Sequence, residues 1–136
     1  MSASSSGALK AFIEAQGLNI SVYRDEAPVN TLYPYITVQE AIAMTPDALE
    51  DGGAGTVREE VQIDVWMDWK NLTTGGRLES YTLPTDVARK LEGARLAVIG
   101  TGTVYAVTVA LVGPRIVDRE SNNVHVPIQA SVHRVL

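Results

Sequence analysis

Alternating hydrophobic and polar positions are clearest in the stretch EVQIDVWMDW, residues 60–69. Its odd positions from 61 to 67 are apolar, whereas its even positions are polar or tryptophan. Side chains on a strand point alternately to opposite faces, so the pattern predicts a strand at about 58–69 with one buried face. The other face carries carboxylates together with Trp66, and a tryptophan beside carboxylates on a solvated face requires an explanation.

Five further stretches have the composition of strands. They are LNISVY (18–23), YITVQEAIAM (35–44), RLAVIG (95–100), TVYAVTVALV (103–112) and NVHVPIQASVHRVL (123–136). The last stretch alternates cleanly but contains Pro127, which has no N–H to donate to a neighbouring strand. Pro127 therefore predicts either an edge strand or a locally unpaired site.

Helical spacing occurs twice. Leu9, Phe12 and Ile13 define a first helix that ends at Gly17. The segment LPTDVARKLEG, 83–93, predicts a second helix with its proline in the first turn and its glycine at the end.

Three polar segments separate these elements. Residues 1–6 predict a flexible N-terminal arm, and residues 71–82 predict a polar connection. Residues 45–57, TPDALEDGGAGTV, combine three carboxylates with three glycines and no apolar period, which predicts a mobile acidic loop. The order helix, strands, helix, strands predicts a single α+β domain over 1–136, with a mainly antiparallel sheet and two or three helices packed on it.

Composition narrows the class of protein. With 46% hydrophobic and 20% charged residues the chain is globular, and its net charge of −5 argues against a broad DNA-binding face. It contains no cysteine, which excludes disulfides and thiolate metal sites. Its start lacks the features of a secretory signal, and its apolar run at 104–112 is about half the ~20 residues of a membrane helix, so no membrane association is expected.

No arrangement of residues predicts catalysis, a cofactor or a metal. His125 and His133 share a strand face but stand about 26 Å apart, too far to bind one ion, and are expected to be solvated. Glu60, Asp64 and Asp68 are likewise expected to form a solvated face. The glycines of GTGTV precede a strand rather than a helix, so they predict a hairpin turn and not a phosphate loop.

The two tryptophans leave three readings open. Trp66 lies on the outward face of its strand and Trp69 lies just past the strand's end. A helix or loop of the same subunit could cover them, a neighbouring subunit could bury them, or the assumed register could be shifted. Tryptophan is enriched where interfaces bury their central residues.

The order of four segments resembles the tail terminator (tail completion) proteins of long-tailed bacteriophages. These segments are YPYITVQEAIAMTPD, VREEVQIDVWMDWKN, ARKLEGARL and GPRIVDRESNNVHVPIQASVHRV. The resemblance extends from about residue 8 to residue 135. It rests on structural rather than catalytic residues, so the order and spacing of the segments carry it.

The resemblance implies a non-enzymatic structural virion protein that forms a closed ring, typically a hexamer. The ring would cap the tail tube, end its elongation and provide the head-joining surface. The implied partners are further copies of the chain, the tail tube protein and a head–neck connector protein, while DNA passes through the lumen without specific binding. The implied location is the head-proximal end of the virion tail, after assembly in the host cytoplasm.

The resemblance also implies roles for particular residues. Trp66, Trp69 and Asp64 would lie at the subunit interface. The loop carboxylates Asp47, Glu50 and Asp51 would face the lumen or the tube, and the alternative for them is a solvated connection. A neck or head–tail connector protein between portal and tail is the alternative function. A small-ligand-binding or accessory enzyme domain is a third hypothesis.

Overall fold

A computed structural model describes residues 5–39, 43–48, 54–68, 77–97, 104–118 and 120–135. Within these residues the helices are α1 (Ser5–Glu14) and α2 (Arg77–Leu91). Its strands are β1 (Ser21–Arg24), β2 (Tyr35–Val38), β3 (Ala43–Ala48), β4 (Ala54–Asp68), β5 (Arg95–Ala97), β6 (Val104–Val112), β7 (Ile116–Asp118) and β8 (Asn123–Val135).

The described strands form one eight-stranded sheet around two long strands, β4 and β8. These two pair antiparallel from Thr56 opposite Val135 to Asp68 opposite Asn123. On the far side of β4 lie β2 and β3, and on the far side of β8 lie β6 and β7. Only the β1–β2 pair, among those described, is parallel. The predicted α+β fold with a mainly antiparallel sheet is confirmed.

One face of this sheet forms the core together with both described helices. The alternating apolar positions predicted for β4 and β8 are all buried on that face. Its buried residues include Leu9 and Ile13 from α1, Val87 and Leu91 from α2, Val61, Ile63, Val65 and Met67 from β4, and Val124, Val126, Ile128, Ala130 and Val132 from β8. The opposite face, called the open face below, is covered by neither described helix.

The second helix is longer than the sequence predicts. It starts at Arg77, so the prediction of a polar connection through residue 82 is wrong for residues 77–82. The sequence predicts Pro84 in the first turn of this helix, but Pro84 lies inside α2 at a buried position. Proline is costly inside helices, and RLESYT has no apolar stripe of its own, so neither signal favours a helix there.

The predicted mobile acidic loop at 45–57 is also wrong over most of its length. Residues 45–48 belong to β3 and residues 54–57 to β4, and the two strands pair with Thr45 opposite Arg58. β4 extends beyond the end of β2, and its free edge offers backbone groups that β3 can pair with without any apolar alternation. Residues 49–53 lie outside the described residues.

Helix α1 begins earlier than the sequence predicts, whereas the glycines that follow the two described helices have the predicted conformation. The expected flexible arm over 1–6 is wrong for its last two positions, because α1 begins at Ser5 and Ser6 is buried. Gly17 and Gly93 have φ of 73° and 74°, the left-handed conformation expected of residues that follow a helix.

Pro127 lies at a locally unpaired site in a central strand, so the edge-strand reading is wrong. β8 pairs with β4 on one side, and on the other side β6 reaches Ile128 while β7 starts at His125. The Pro127 carbonyl accepts the Gly113 N–H at 2.7 Å, so the proline nitrogen also faces the gap between β6 and β7, where no ladder partner exists. A Cβ at Gly113 would lie 2.8 Å from Pro127 Cγ, so this approach requires glycine.

Candidate functional site: an aromatic row on the open face

Aromatic side chains form a transverse row across the open face. Tyr35 of β2 lies opposite Trp66 of β4, Trp66 lies opposite His125 of β8, and His125 lies opposite Ile116 of β7. Directly opposite residues of antiparallel strands point to the same face, so these four side chains stand side by side. Tyr33, Tyr35, Trp66 and His125 are called the aromatic row.

The rings of the row are stacked in sequence. Ring centroids are 5.4 Å apart for Tyr33 and Tyr35, 5.9 Å for Tyr35 and Trp66, and 4.3 Å for Trp66 and His125. Interplanar angles of 18°, 17° and 27° make all three contacts stacked rather than edge-on. Tyr23 meets Tyr35 edge-on at 6.2 Å. Such contacts stabilise by about 0.5–1.5 kcal/mol each beyond area burial.

Trp66 is half-buried by its own strand neighbours. Its Nε1–H donates to Thr37 Oγ1 at 2.9 Å, and Thr37 is itself buried. The predicted register is confirmed, because Trp66 points to the face opposite the core. Its cover within the subunit is therefore the flanking Tyr35 and His125 rings, while the rest of the indole remains accessible.

Asp64 departs from the expected solvated face, because it is only 2% exposed. Its carboxylate accepts the Gln39 side-chain amide at 3.1 Å and the Gln62 amide at 3.1 and 3.2 Å. These two amides lie over the carboxylate and replace its contact with water. Asp64 thus fixes the polar side chains beside the row, and the prediction of a solvated Asp64 is wrong.

The neighbouring acid Glu60 is half-buried and also engaged. Ser131 Oγ donates to both of its carboxylate oxygens at 3.0 Å, and Arg58 Nε lies 3.4 Å from Oε1.

Among the described residues no group of three or more His, Cys, Asp or Glu side chains is placed to hold a metal ion. In the part of the chain described, no helix is both long enough and apolar enough to span a membrane.

The pKa of Tyr35 in the row is shifted by its surroundings. Burial raises the pKa of Tyr35 above its usual value, and the neighbouring Tyr33 raises that pKa further. Both effects disfavour the phenolate, so the Tyr35 ring keeps its proton well above neutral pH.

Beside the row lies an open cleft of about 650 Å³. Residues 27–33, Tyr35 and Asp68 line it. It brings together the connection between β1 and β2 and the adjoining ends of β2 and β4.

The sequence-predicted site residues are only partly brought together. Trp66 and Asp64 share the open face two positions apart on β4, and Trp69 lies outside the described residues. Asp47 belongs to β3, whereas Glu50 and Asp51 also lie outside the described residues. The sequence does not predict that Tyr33 and Tyr35 belong to the site, and it predicts a solvated His125, which is half-buried against Trp66. The row forms only when β2, β4 and β8 pair, so no local pattern indicates it.

The sequence model of the family described as "Tail completion protein gp17" matches residues 3–110. The chain belongs to this family. The resemblance inferred from the order of the segments is confirmed, and this tail completion protein has a structural role in the bacteriophage tail.

Solved structures share the fold of this tail completion protein. A chain of the "Virion of native gene transfer agent (GTA) particle" matches at a TM-score of 0.70 and 14% identity, covering 98% of this chain and 96% of that chain. A second solved chain matches at a TM-score of 0.54 and 15% identity, covering 94% of this chain and 87% of the other. No curated protein sequence matches significantly.

Proposed function

We propose that this tail completion protein forms a closed ring, typically a hexamer, that caps the tail tube. The ring ends tube elongation and provides the surface that the head joins. Its partners are further copies of itself, the tail tube protein and a head–neck connector protein. It acts at the head-proximal end of the virion tail after assembly in the host cytoplasm, without catalysing a reaction.

The aromatic row on the open face carries this proposal. A stacked, half-buried indole on a face that no described helix covers is the kind of residue that interfaces bury at their centre. Family membership directs that surface to tail assembly. The solved chain that shares the fold over nearly its full length comes from the virion of a gene transfer agent particle, in keeping with a place in a virion.

Trp66 and Trp69 are proposed as the residues that anchor subunits to each other. Trp66 presents the accessible part of its indole, and Trp69 follows β4 directly. Asp64 supports the contact from within the subunit, because its hydrogen bonds hold the Gln39 and Gln62 amides in place beside Trp66.

The acidic β3–β4 hairpin is proposed to face the lumen or the tube. Asp47 lies on β3, and Glu50 and Asp51 follow it in the connection to β4. Carboxylates lining a bore repel DNA phosphates, which lets DNA pass without specific binding. Replacing all three by lysine is expected to slow DNA passage in infected cells while leaving ring mass unchanged.

Solution mass tests ring formation. Light scattering and negative-stain images of the purified chain are expected to show closed rings, and Trp66→Ala or Trp69→Ala to reduce them to smaller species. Gln129→Ala is the matched control, since Gln129 is exposed on the open face, like Trp66, but is not part of the aromatic row. A chain that stays monomeric in the presence of tail tubes contradicts the ring.

Binding to isolated assemblies separates capping from the alternative role in the neck. The capping protein is expected to bind the ends of tail tubes. Binding to a portal complex, with none to tube ends, would instead identify a head–tail connector protein.

A further inference from the structure

The most apolar strand of the chain, β6, contains no residue that discourages pairing with another strand. Its sequence VYAVTVALV, Val104–Val112, has no charged residue, no proline and no glycine. Leu111 and Val112 at its end are 57% and 40% exposed. Uncharged segments of high β-propensity pair readily with further strands wherever their backbone edge is accessible. An open edge along β6 would therefore invite a strand from another chain.

The outer edge of β6, the edge away from β8, is paired over only part of its length. β5 pairs with it as far as Ala106. At the next position the Gly93 N–H donates to the Val107 carbonyl at 3.0 Å, and the Val107 N–H donates to the Ala94 carbonyl at 2.9 Å. Beyond Val107, no strand within the described residues pairs with this edge.

The side chain of Glu92 takes the next place on the outer edge. Alternate residues of a strand direct their backbone groups to the same side, so Val109 presents its N–H to the same edge as Val107. This N–H donates to Glu92 Oε2 at 2.8 Å. A carboxylate oxygen thus lies where the carbonyl oxygen of a further strand would lie, and it brings a negative charge to the edge.

The backbone around Glu92 fixes the position of this carboxylate. The Glu92 N–H donates to the Ala88 carbonyl at 2.9 Å, and the following residue, Gly93, is bonded to β6. Glu92 directly follows α2, whose negative C-terminal end favours cations such as Arg89 and Lys90 in its last turn. Helix electrostatics therefore disfavour an acid here, whereas the bond to β6 gives it a use.

We propose that Glu92 closes the outer edge of β6 and prevents a strand of a second copy from adding to the sheet there. Charged side chains are a common protection of sheet edges, and this one is hydrogen-bonded to the edge itself. A strand that added here would have to displace the carboxylate from Val109 and bring its own carbonyl oxygens close to the negative charge. This role goes beyond the proposed ring, because it concerns association that would compete with ordered assembly.

Two substitutions of Glu92 and one control test the closure by sedimentation velocity over a range of concentrations. Glu92→Ala removes the acceptor, whereas Glu92→Gln keeps an oxygen that can accept the Val109 N–H. Glu14→Ala also removes one exposed acid, but the Glu14 carboxylate accepts from Lys10 rather than from a strand.

Glu92→Ala is expected to form species that grow with concentration to several-fold the mass of the largest species of the natural chain. Glu92→Gln is expected to restore most of the natural behaviour, and Glu14→Ala to match the natural chain. A Glu92→Ala chain whose mass distribution equals that of the natural chain would overturn the proposal.

A proline at position 109 separates edge pairing from aggregation of an unfolded chain. Val109→Pro removes the N–H that an added strand would use. It also removes packing of Val109 against the core, so the double variant Glu92→Ala, Val109→Pro is expected to be less stable than Glu92→Ala. Edge pairing predicts that the double variant grows less with concentration. Growth equal to or greater than that of Glu92→Ala would assign the association to unfolding and refute the closure.

Hydrogen exchange at the Val109 amide gives a second readout that does not depend on the proline variant. In dilute Glu92→Ala this amide is expected to exchange at least tenfold faster than in the natural chain, because its acceptor is gone. At high concentration its exchange is expected to slow again as a second copy pairs with the edge. Associated Glu92→Ala in which the Val109 amide still exchanges fast would place the contact elsewhere and overturn the proposal.

Discussion

Replacing Trp66 tests how the row is held together in a single subunit. Trp66→Ala removes the stacked contacts with Tyr35 and His125 and the hydrogen bond to Thr37. Trp66→Phe keeps an aromatic ring between its two neighbours but removes the N–H donor. The two variants therefore separate stacking from hydrogen bonding.

The expected loss in the free energy of unfolding follows from these contacts. One hydrogen bond contributes about 1 kcal/mol net and each aromatic contact about 1 kcal/mol, so Trp66→Ala is expected to cost about 3 kcal/mol. Trp66→Phe is expected to cost about 1 kcal/mol. A domain stable by about 5–15 kcal/mol remains folded after either change, so ring loss in Trp66→Ala would report on assembly.

Urea unfolding followed by circular dichroism measures these losses. Dilute protein is required, because association stabilises the folded state in addition to the contacts within a subunit. Trp66→Ala is expected to lower the urea midpoint by roughly 1–2 M. Thr37→Val combined with Trp66→Phe is expected to cost less than the sum of the single changes, because both remove the same hydrogen bond.

Two results would refute the assignment of these contacts. A loss below about 1 kcal/mol for Trp66→Ala would mean that the stacked rings contribute nothing to the folded subunit. Equal losses for Trp66→Ala and Trp66→Phe would place the whole effect on the N–H group.

Three further changes follow from the described geometry. Gly113→Ala is expected to cost about 1–3 kcal/mol in urea unfolding, and Pro127→Ala to relieve part of that cost; full stability of Gly113→Ala would contradict the close approach. Asp64→Ala leaves two glutamine amides without their acceptor, so it is expected to cost about 1–3 kcal/mol, and an unchanged midpoint would argue against those bonds. The pKa of Tyr35 is raised in the folded state, so its contribution to stability is complete below the unfolded pKa and is lost as pH rises through the folded pKa. Phenolate absorbance should show Tyr33→Phe lowering the pKa of Tyr35 only in part, since burial is the larger cause.

The parts of the fold that rest on local periodicity could be predicted from the sequence. β4 and β8 alternate over long stretches, and each buries the face that its apolar positions indicate. Gly17 and Gly93 mark helix ends because their left-handed conformation strongly favours glycine.

The elements that the sequence mispredicted take their structure from neighbours. β3 pairs along the extended edge of β4, and its own residues show no alternation. α2 continues through Pro84 and a polar first part, where local propensity favours a loop.

The candidate site depends on register between distant segments. Trp66 on the outward face was predictable, since alternation alone fixes its side of the strand. The burial of Asp64 was not, because Gln39 reaches it from 25 positions earlier in the chain. The stacking of His125 on Trp66 likewise depends on the pairing of β4 with β8, which composition does not determine.

Polymerisation of the tail tube protein in the presence of this chain tests the proposed function most directly. Negative-stain images would give the distribution of tube lengths and the appearance of tube ends, with Trp66→Ala and Gln129→Ala added in parallel. Capping predicts that tubes stop growing and carry a ring at one end with the natural chain and Gln129→Ala, but not with Trp66→Ala. Tubes that elongate to the same lengths with and without the chain, and whose ends stay bare, would contradict it.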